Sequence, residues 1–161
     1  MKKDLVYSIT CLTFAVVAGG AIYEHLNVVP TWAAAAPASL SMFQGEYGLN
    51  PELFWMLIHP INLLLFILTL ILHWRSPRKK NIATVLICYV AILAITAIYF
   101  VPELLSILKS PYSPTVDAEL TGRAKLWEIL SIVRLVVLIG LSLFLFLGLT
   151  KPSSRNLANA K

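Results

Sequence analysis

The feature that most constrains this chain is a set of four long stretches with almost no charge. They span residues 5–23, 53–72, 82–101 and 126–150, and only the last contains charged side chains, Glu128 and Arg134. About 20 apolar residues in a helix cross the roughly 30 Å hydrocarbon core of a bilayer. Because lipid offers the backbone no hydrogen-bond partners, such segments must be helical. The sequence therefore predicts an all-α fold, a four-helix transmembrane bundle that forms a single integral membrane domain over residues 1–161. The predicted helices cover approximately residues 5–25, 53–74, 82–101 and 126–150.

The composition agrees with a membrane protein. Charged residues make up 13% of the chain, whereas soluble domains average about 25%. The first apolar stretch is longer than the core of a signal peptide, which favours a retained helix. The two cysteines, Cys11 and Cys88, lie inside apolar stretches and are predicted to be small buried hydrophobes.

The basic residues are unevenly distributed and predict an orientation. Most of them lie at the N-terminus, in the loop after the second apolar stretch, or at the C-terminus: Lys2, Lys3, Arg75, Arg78, Lys79, Lys80, Lys151, Arg155 and Lys161. Short basic loops stay in the cytoplasm. We therefore expect a multi-pass protein of the cell membrane with both termini cytoplasmic and two long outer loops. Membrane lipid is then the expected partner of the basic segments, and nucleic acid is not expected despite the net charge of +5.

The first outer loop, residues 26–52, is unusually apolar for a solvated connection. Its segment ASLSMFQGEYG is compatible with a short helix. Two interpretations remain open, a lid over a pocket between the helices and an anchor in the membrane interface. The second outer loop contains two prolines after residue 110 and is predicted to form a short helix, a turn and a second short helix.

With this orientation, the polar side chains of all four helices converge on the outer third of the bundle. Glu24 and His25 end the first helix, and His59 lies roughly 9 Å below the outer surface of the second at 1.5 Å per residue. Tyr99 and Glu103 lie at the same level on the third helix, and Arg134 is roughly 12 Å deep on the fourth. The inner two-thirds consist mainly of Leu, Ile, Val and Phe.

Helical spacing groups some of these residues on shared faces. Trp55, His59 and Asn62 share one face of the second helix, which Pro60 can kink, and Trp127, Ser131 and Arg134 form a stripe on the fourth. A charge within the membrane normally faces the bundle interior and has a partner. Two alternatives to a ligand site remain. The polar residues at the helix ends could only mark the membrane boundary, and Arg134 could form a structural ion pair with Glu128 or Glu24.

The same residues raise the question of a metal site. His25, His59 and Glu24 would supply imidazole and carboxylate ligands suited to iron, copper or zinc. Since no HxxxH, HxxE or CxxC spacing is present, these ligands would have to converge through folding alone.

Three short segments carry a family resemblance: AGGAIYEHLNVVP in the first helix, FWMLIHPIN at the start of the second, and LWEILSIVR entering the fourth. In these segments the chain resembles the anthrone-oxygenase-like family of small four-helix integral membrane proteins, over about residues 5–149. Members with an assigned role are linked to oxidation of polycyclic anthrones to quinones. The resemblance implies a pocket formed by His59, Asn62, Trp127 and Arg134, with Glu24 and His25 beside it. The Glu24–His25 pair departs from the family's general pattern and leaves the substrate open.

The leading functional hypothesis is an oxidoreductase or oxygenase-like membrane enzyme acting on a lipophilic aromatic or quinone-like molecule, with metal assistance as one variant. His59, Arg134 and Glu24 are its candidate catalytic residues. The expected substrate-binding residues are Trp55, Asn62, Tyr99 and Trp127. The alternative is a non-enzymatic accessory or lipid- or metal-binding protein, with or without assembly into a homo-oligomer. A transporter is disfavoured because no polar stripe is expected through the inner leaflet.

Overall fold

The computed structural model describes residues 2–153. Arg155 and Lys161, which contributed to the predicted orientation, lie outside the described residues. The α-helices are α1 (Lys2–Asn27), α2 (Val29–Ala33), α3 (Glu52–Leu72), α4 (Lys79–Ile95), α5 (Val101–Leu108) and α6 (Ala118–Leu147). Turns of 3-10 helix cover Ala38–Phe43 and Gly148–Thr150, and a π-helical segment covers Thr96–Phe100.

The predicted all-α architecture is confirmed within residues 2–153. Four helical segments are long and apolar enough to cross a membrane: Lys2–Asn27, Glu52–Leu72, Lys79–Leu108 and Ala118–Thr150. Large apolar side chains cover their outward faces, for example Leu64 and Ile87, each 69% exposed. Such a surface is suited to lipid contact, since a helix that is apolar on all sides needs an apolar environment.

Two helices extend beyond their predicted limits. The third apolar helix does not end near Val101 but continues to Leu108, and the fourth begins at Ala118 rather than near residue 126. The π-helical turn lies directly before Pro102, whose ring and missing N–H would interrupt a regular helix. Asp117 caps α6, since its side chain accepts hydrogen bonds from the backbone N–H groups of Glu119 and Leu120. The second outer loop is correspondingly shorter than expected.

The packed centre of the bundle is formed mainly by α1, α3, α4 and α6. Helix α1 packs against α3 and α6, and α4 packs against α6 and α3. The rings of Phe14, Phe66 and Tyr89 meet edge-on or tilted, with centroids 5.0–5.9 Å apart. These three side chains are at most 1% exposed, so they separate the polar groups near one end of the bundle from those near the other.

One end of the bundle, which we call the loop end, is covered by the segment after α1. Trp32 and Leu40 from this segment are buried. They pack in one cluster with Phe100 of the π turn, Ile107 of α5 and Trp127 of α6. The carbonyl of Ala36 also accepts hydrogen bonds from the backbone N–H of Asp117 and the hydroxyl of Thr121. The segment between α1 and α3, residues 28–51, therefore folds over the helices, and we call it the lid segment for this position. A closing motion and an anchor in the membrane interface both stay predictions.

The opposite end, which we call the terminal end, is where Asp4, Arg78 and Lys151 meet. Arg78 donates hydrogen bonds to the Asp4 carboxylate (2.7 Å) and to the carbonyls of Lys151 (2.7 Å) and Leu149 (3.2 Å). Asn81 donates to the carbonyl of Phe144 and accepts from the Lys151 ammonium group, each at 2.7 Å. The ends of three spans are therefore joined at the terminal end by polar contacts.

Candidate functional site

Three helices contribute to a line of contacts near the loop end, which we call the polar chain: Glu24, Trp55, His59 and Tyr89. The Trp55 indole N–H donates to Oε1 of Glu24 at 2.8 Å. The Trp55 ring stacks on the His59 imidazole, with centroids 5.4 Å apart and an interplanar angle of 22°. Nδ1 of His59 lies 2.6 Å from the Tyr89 hydroxyl. The predicted residues Glu24, Trp55 and His59 are thus brought together by α1 and α3.

Tyr89 is a member of the polar chain that the sequence analysis missed. It lies in the middle of an apolar stretch on α4 and is fully buried. A phenol hydroxyl both donates and accepts hydrogen bonds, so it can accept one from a protonated Nδ1 of His59 or donate one to an unprotonated Nδ1. A tyrosine deep inside an apolar stretch is the sequence signal that could have identified it.

Arg134 is held between polar and aromatic groups. Its guanidinium donates to Oγ1 of Thr96 at 3.0 Å and to Oγ of Ser131 at 2.8 Å. Its carbon Cζ lies 4.1 Å from the Phe100 ring centroid and 6.0 Å from that of Trp127. Thr96 and Phe100 are the two ends of the π turn, so this irregular turn helps to build the Arg134 environment.

The predicted ion pair of Arg134 with Glu128 or Glu24 is not found among the described residues. Within 4.0 Å, the arginines of this part of the chain pair as Arg78 with Asp4 and Arg123 with Glu103. Glu24 and His59 are nevertheless near enough to Arg134 to interact with its charge. Arg134 is therefore a largely buried cation whose close contacts are hydroxyls and aromatic rings, and a buried charge of this kind is costly without an anionic partner.

Trp127 borders Arg134, and Tyr99 packs against Phe100, the other ring beside that arginine. The Trp127 indole N–H donates to the Phe100 carbonyl at 2.9 Å, and its ring packs edge-on against Trp32. Tyr99 is partly buried and packs against Phe100. These contacts give Trp127 a clear structural part in holding the π turn and the lid segment together, and the binding roles predicted for both rings stay predictions.

Asn62 lies deeper in the bundle than the polar chain. Its amide Nδ2 donates to the carbonyls of Thr13 (3.3 Å) and Ile58 (3.0 Å), which links α3 to α1. The side chain is fully buried, and its Oδ1 has no hydrogen-bond partner within residues 2–153. A buried carbonyl oxygen of this kind is a position for an ordered water.

The metal site predicted from His25, His59 and Glu24 is not found. Within the described part of the chain, no group of three or more His, Cys, Asp or Glu side chains comes close enough to hold a metal ion. Nδ1 of His25 lies 2.8 Å from the Ala21 carbonyl of its own helix, and Nδ1 of His59 contacts Tyr89. Neighbours in an α-helix point about 100° apart, which separates His25 from Glu24. The chain's residues do not fit the predicted iron, copper or zinc site.

A cleft of about 530 Å³ opens beside Glu24 at the loop end. Its lining comes from α1, the lid segment and the start of α3: Gly20, Tyr23, Glu24, Asn27, Val28, Met42, Leu49, Asn50, Pro51 and Phe54. Gly20 allows the Phe54 ring to approach, because a Cβ at this position would meet that ring at 2.8 Å. Glu24 therefore contacts both the cleft and the polar chain.

The site thus combines a cleft with a carboxylate, a histidine–tyrosine pair behind that carboxylate, and a buried cation within electrostatic range. His25 and Asn62 lie apart from this arrangement, Trp127 borders Arg134, and Tyr99 packs against Phe100. In comparisons with known proteins, no family model, no curated protein and no solved structure matches the chain.

Proposed function

We propose that this chain is a membrane oxidoreductase of the oxygenase type, which acts on a lipophilic aromatic molecule bound in the Glu24 cleft. The observation that carries the proposal is the position of Glu24, which lines a cleft of mainly apolar residues and also accepts the Trp55 hydrogen bond. Ligand sites are typically apolar clefts with a small number of well-placed polar groups. The resemblance to the anthrone-oxygenase-like family supplies the reaction class.

The reaction proposed is the oxidation of an activated CH₂ group that lies between two aromatic rings and is conjugated through them to a ring carbonyl, with dioxygen as the oxidant. Glu24 removes one C–H proton, which leaves an enolate whose negative charge rests largely on oxygen. Dioxygen adds to the carbon, and the resulting peroxide anion takes up a proton to form a hydroperoxide. Removal of the second C–H proton then forms the C=O bond and breaks the O–O bond, and the departing hydroxide takes up a proton and leaves as water. One oxygen atom ends in the new ketone and the other in water, so the substrate loses two hydrogens and gains one oxygen.

The other residues have supporting roles in this scheme. Trp55 holds the Glu24 carboxylate through its indole N–H. Arg134 supplies a fixed positive charge near the developing enolate, and such preorganised charges are among the strongest catalytic devices. His59 and Tyr89 form a short hydrogen bond behind Trp55 and act as positioning residues that set the orientation of the indole.

The test is an oxidation assay with the detergent-purified protein and anthrone as the probe, following oxygen consumption and quinone absorbance together. Glu24→Gln keeps an acceptor for Trp55 but removes the base, and we expect a loss of about 10² to 10⁴ in rate. For Arg134→Gln we expect a loss of about 10² to 10³. Glu128→Gln, at a partly buried glutamate on α6, is the matched control and should keep the rate.

A reaction without protein sets the background, since anthrones oxidise slowly in air. Wild-type protein that does not exceed this background, or a Glu24→Gln variant with unchanged rate, would contradict the proposal. Variants are compared only after their helix content and elution from size-exclusion chromatography match those of the wild type.

A binding function without catalysis is the second candidate, and the apolar lining of the cleft favours it. In this case the protein would hold a membrane lipid or another lipophilic molecule, alone or as a homo-oligomer. Saturable quenching of tryptophan fluorescence by anthrone, with no acceleration of its oxidation, would distinguish binding from the enzyme.

We also propose the orientation in the membrane. The basic residues at the terminal end support a cytoplasmic position for this end, because short basic segments tend to stay in the cytoplasm. The loop end, with the cleft and the polar chain, then faces the outer side of the cell membrane.

A further inference from the structure

The basic residues of the terminal end fall into two groups that the sequence does not distinguish. Arg78 is 7% exposed, and its guanidinium is occupied by Asp4 and by two backbone carbonyls. Lys151 donates to Oδ1 of Asn81. These two cations hold the helix ends together and have little capacity left for a partner.

The second group is exposed at the same end. Lys2, Lys3, Arg75 and Lys80 are exposed, and none of them forms an ion pair within residues 2–153. The Asp4–Arg78 bridge brings the start of α1 next to the start of α4, so both pairs of basic side chains belong to one surface. We call these four residues the basic surface.

The basic surface has almost no negative charge of its own. Of the eight acidic residues in the sequence, all of them in the described part of the chain, Asp4 alone lies at this end, and Arg78 neutralises it. The Trp74 ring is 57% exposed and lies under the Lys79 ammonium group, 3.4 Å from its centroid. Tryptophan rings of this kind mark the level of the lipid headgroups. The unpaired cations therefore lie where lipid phosphates would be.

We propose that the basic surface binds the headgroups of anionic phospholipids in the adjacent leaflet. The argument is charge complementarity at headgroup depth: four exposed cations lie at the same end of the bundle as an exposed tryptophan, while the one carboxylate at this end is already paired. Attraction of a basic residue to an anionic leaflet is worth about 1 kcal/mol, which corresponds to about a fivefold change in affinity for each residue removed.

The test is lipid retention measured by native mass spectrometry on the full chain, released from nanodiscs that contain equal amounts of phosphatidylglycerol and phosphatidylcholine. The variant Arg75→Gln with Lys80→Gln removes two charges from the basic surface. The control, Lys109→Gln with Lys125→Gln, removes two exposed charges from the loop end. We expect the wild type and the control to retain phosphatidylglycerol preferentially, and the first variant to lose at least several-fold of that preference.

Equal retention of both lipids by the wild type would overturn the proposal. So would an equal loss in the control variant, because net charge rather than this surface would then determine retention. If the first variant does not fold, Lys2→Gln with Lys3→Gln tests the same surface from α1 and must reduce the preference as well.

Discussion

Arg78 shows how residues of one type take different roles in this fold. In the sequence it is one of several clustered basic residues, and only their number and position could be used to predict an orientation. In the structure its guanidinium joins Asp4 at the start of α1 to the carbonyls of Leu149 and Lys151 at the end of the chain. Which cation in the segment RSPRKK would be buried depends on how three helix ends meet, and no local pattern encodes this.

Replacing Arg78 by Gln should destabilise the folded protein by about 2 kcal/mol, because hydrogen bonds to charged groups are lost and partly buried acceptors are left unpaired. Asp4 is itself partly exposed, which limits the cost. The midpoint of thermal unfolding in detergent measures the effect. Arg75→Gln removes an exposed arginine three residues away and should leave the midpoint nearly unchanged. Equal midpoints for both variants would contradict the assigned role.

His73 directly follows α3 and is fully buried at the terminal end. Its Nδ1 lies 3.1 Å from the Thr69 carbonyl, and its ring meets Tyr7 edge-on. Burial lowers the pKa of His73 from its usual value of 6.5. The Thr69 carbonyl opposes this pKa shift, the positive charges of Arg78 and Lys3 add to it, and the charge of Asp4 opposes it as well.

This lowered pKa predicts a loss of stability in acid. The unfolded chain binds a proton at His73 as the pH falls below about 6.5, whereas the lowered pKa makes the folded protein bind that proton less readily. The free energy of unfolding should therefore decrease between pH 7 and pH 5, and His73→Gln should reduce this dependence. Thermal midpoints of both proteins at several pH values test the prediction, and parallel curves for the two would contradict it.

At the scale of the helices, the apolar stretches predicted the membrane spans better than they predicted the helix limits. The absence of charged side chains indicates which residues can lie in lipid. A helix can nevertheless continue into water as long as its backbone N–H and C=O groups have hydrogen-bond partners. Helix α6 therefore begins at Ala118, behind the Asp117 cap, although the charged residues Arg123 and Lys125 precede the apolar stretch. The π turn before Pro102 has no recognised sequence signal here, so the continuation into α5 could not be predicted.

The π turn depends on a contact from α6. The Trp127 indole N–H donates to the Phe100 carbonyl, and the Trp127 ring borders Arg134. Trp127→Phe keeps the aromatic ring but removes this donor, and we expect a loss of about 1 kcal/mol of stability. Trp74→Phe, at an exposed ring, is the matched control. A control that lowers the thermal midpoint as much as Trp127→Phe would show that the hydrogen bond is not responsible.

At the scale of the whole molecule, a bundle with four spans has both described ends of the chain on the same side. Helix α1 and the Gly148–Thr150 turn both reach the terminal end, where Ser76 donates to the Pro152 carbonyl. The described ends of the chain and the loop after α3 therefore lie on one side of the bundle. The convergence of Glu24, Trp55 and His59 near the other end was predicted from helix direction and depth. To predict the contact of His59 with Tyr89, one would have to know how each helix is rotated about its own axis. Apolar stretches without a strong polar stripe do not determine this rotation.

The orientation of the whole bundle follows from the basic terminal end and can be measured with two single substitutions. Tyr47 at the loop end is 93% exposed, and Lys80 at the terminal end is exposed. If the terminal end is cytoplasmic, a membrane-impermeant maleimide added to intact cells should label Tyr47→Cys but not Lys80→Cys. After permeabilisation it should label both. The parent chain, whose Cys11 is buried and whose Cys88 lies within α4, gives the background. Labelling of Lys80→Cys alone in intact cells would contradict the proposed orientation and show that the Glu24 cleft faces the cytoplasm. A substrate would then have to arrive from inside the cell.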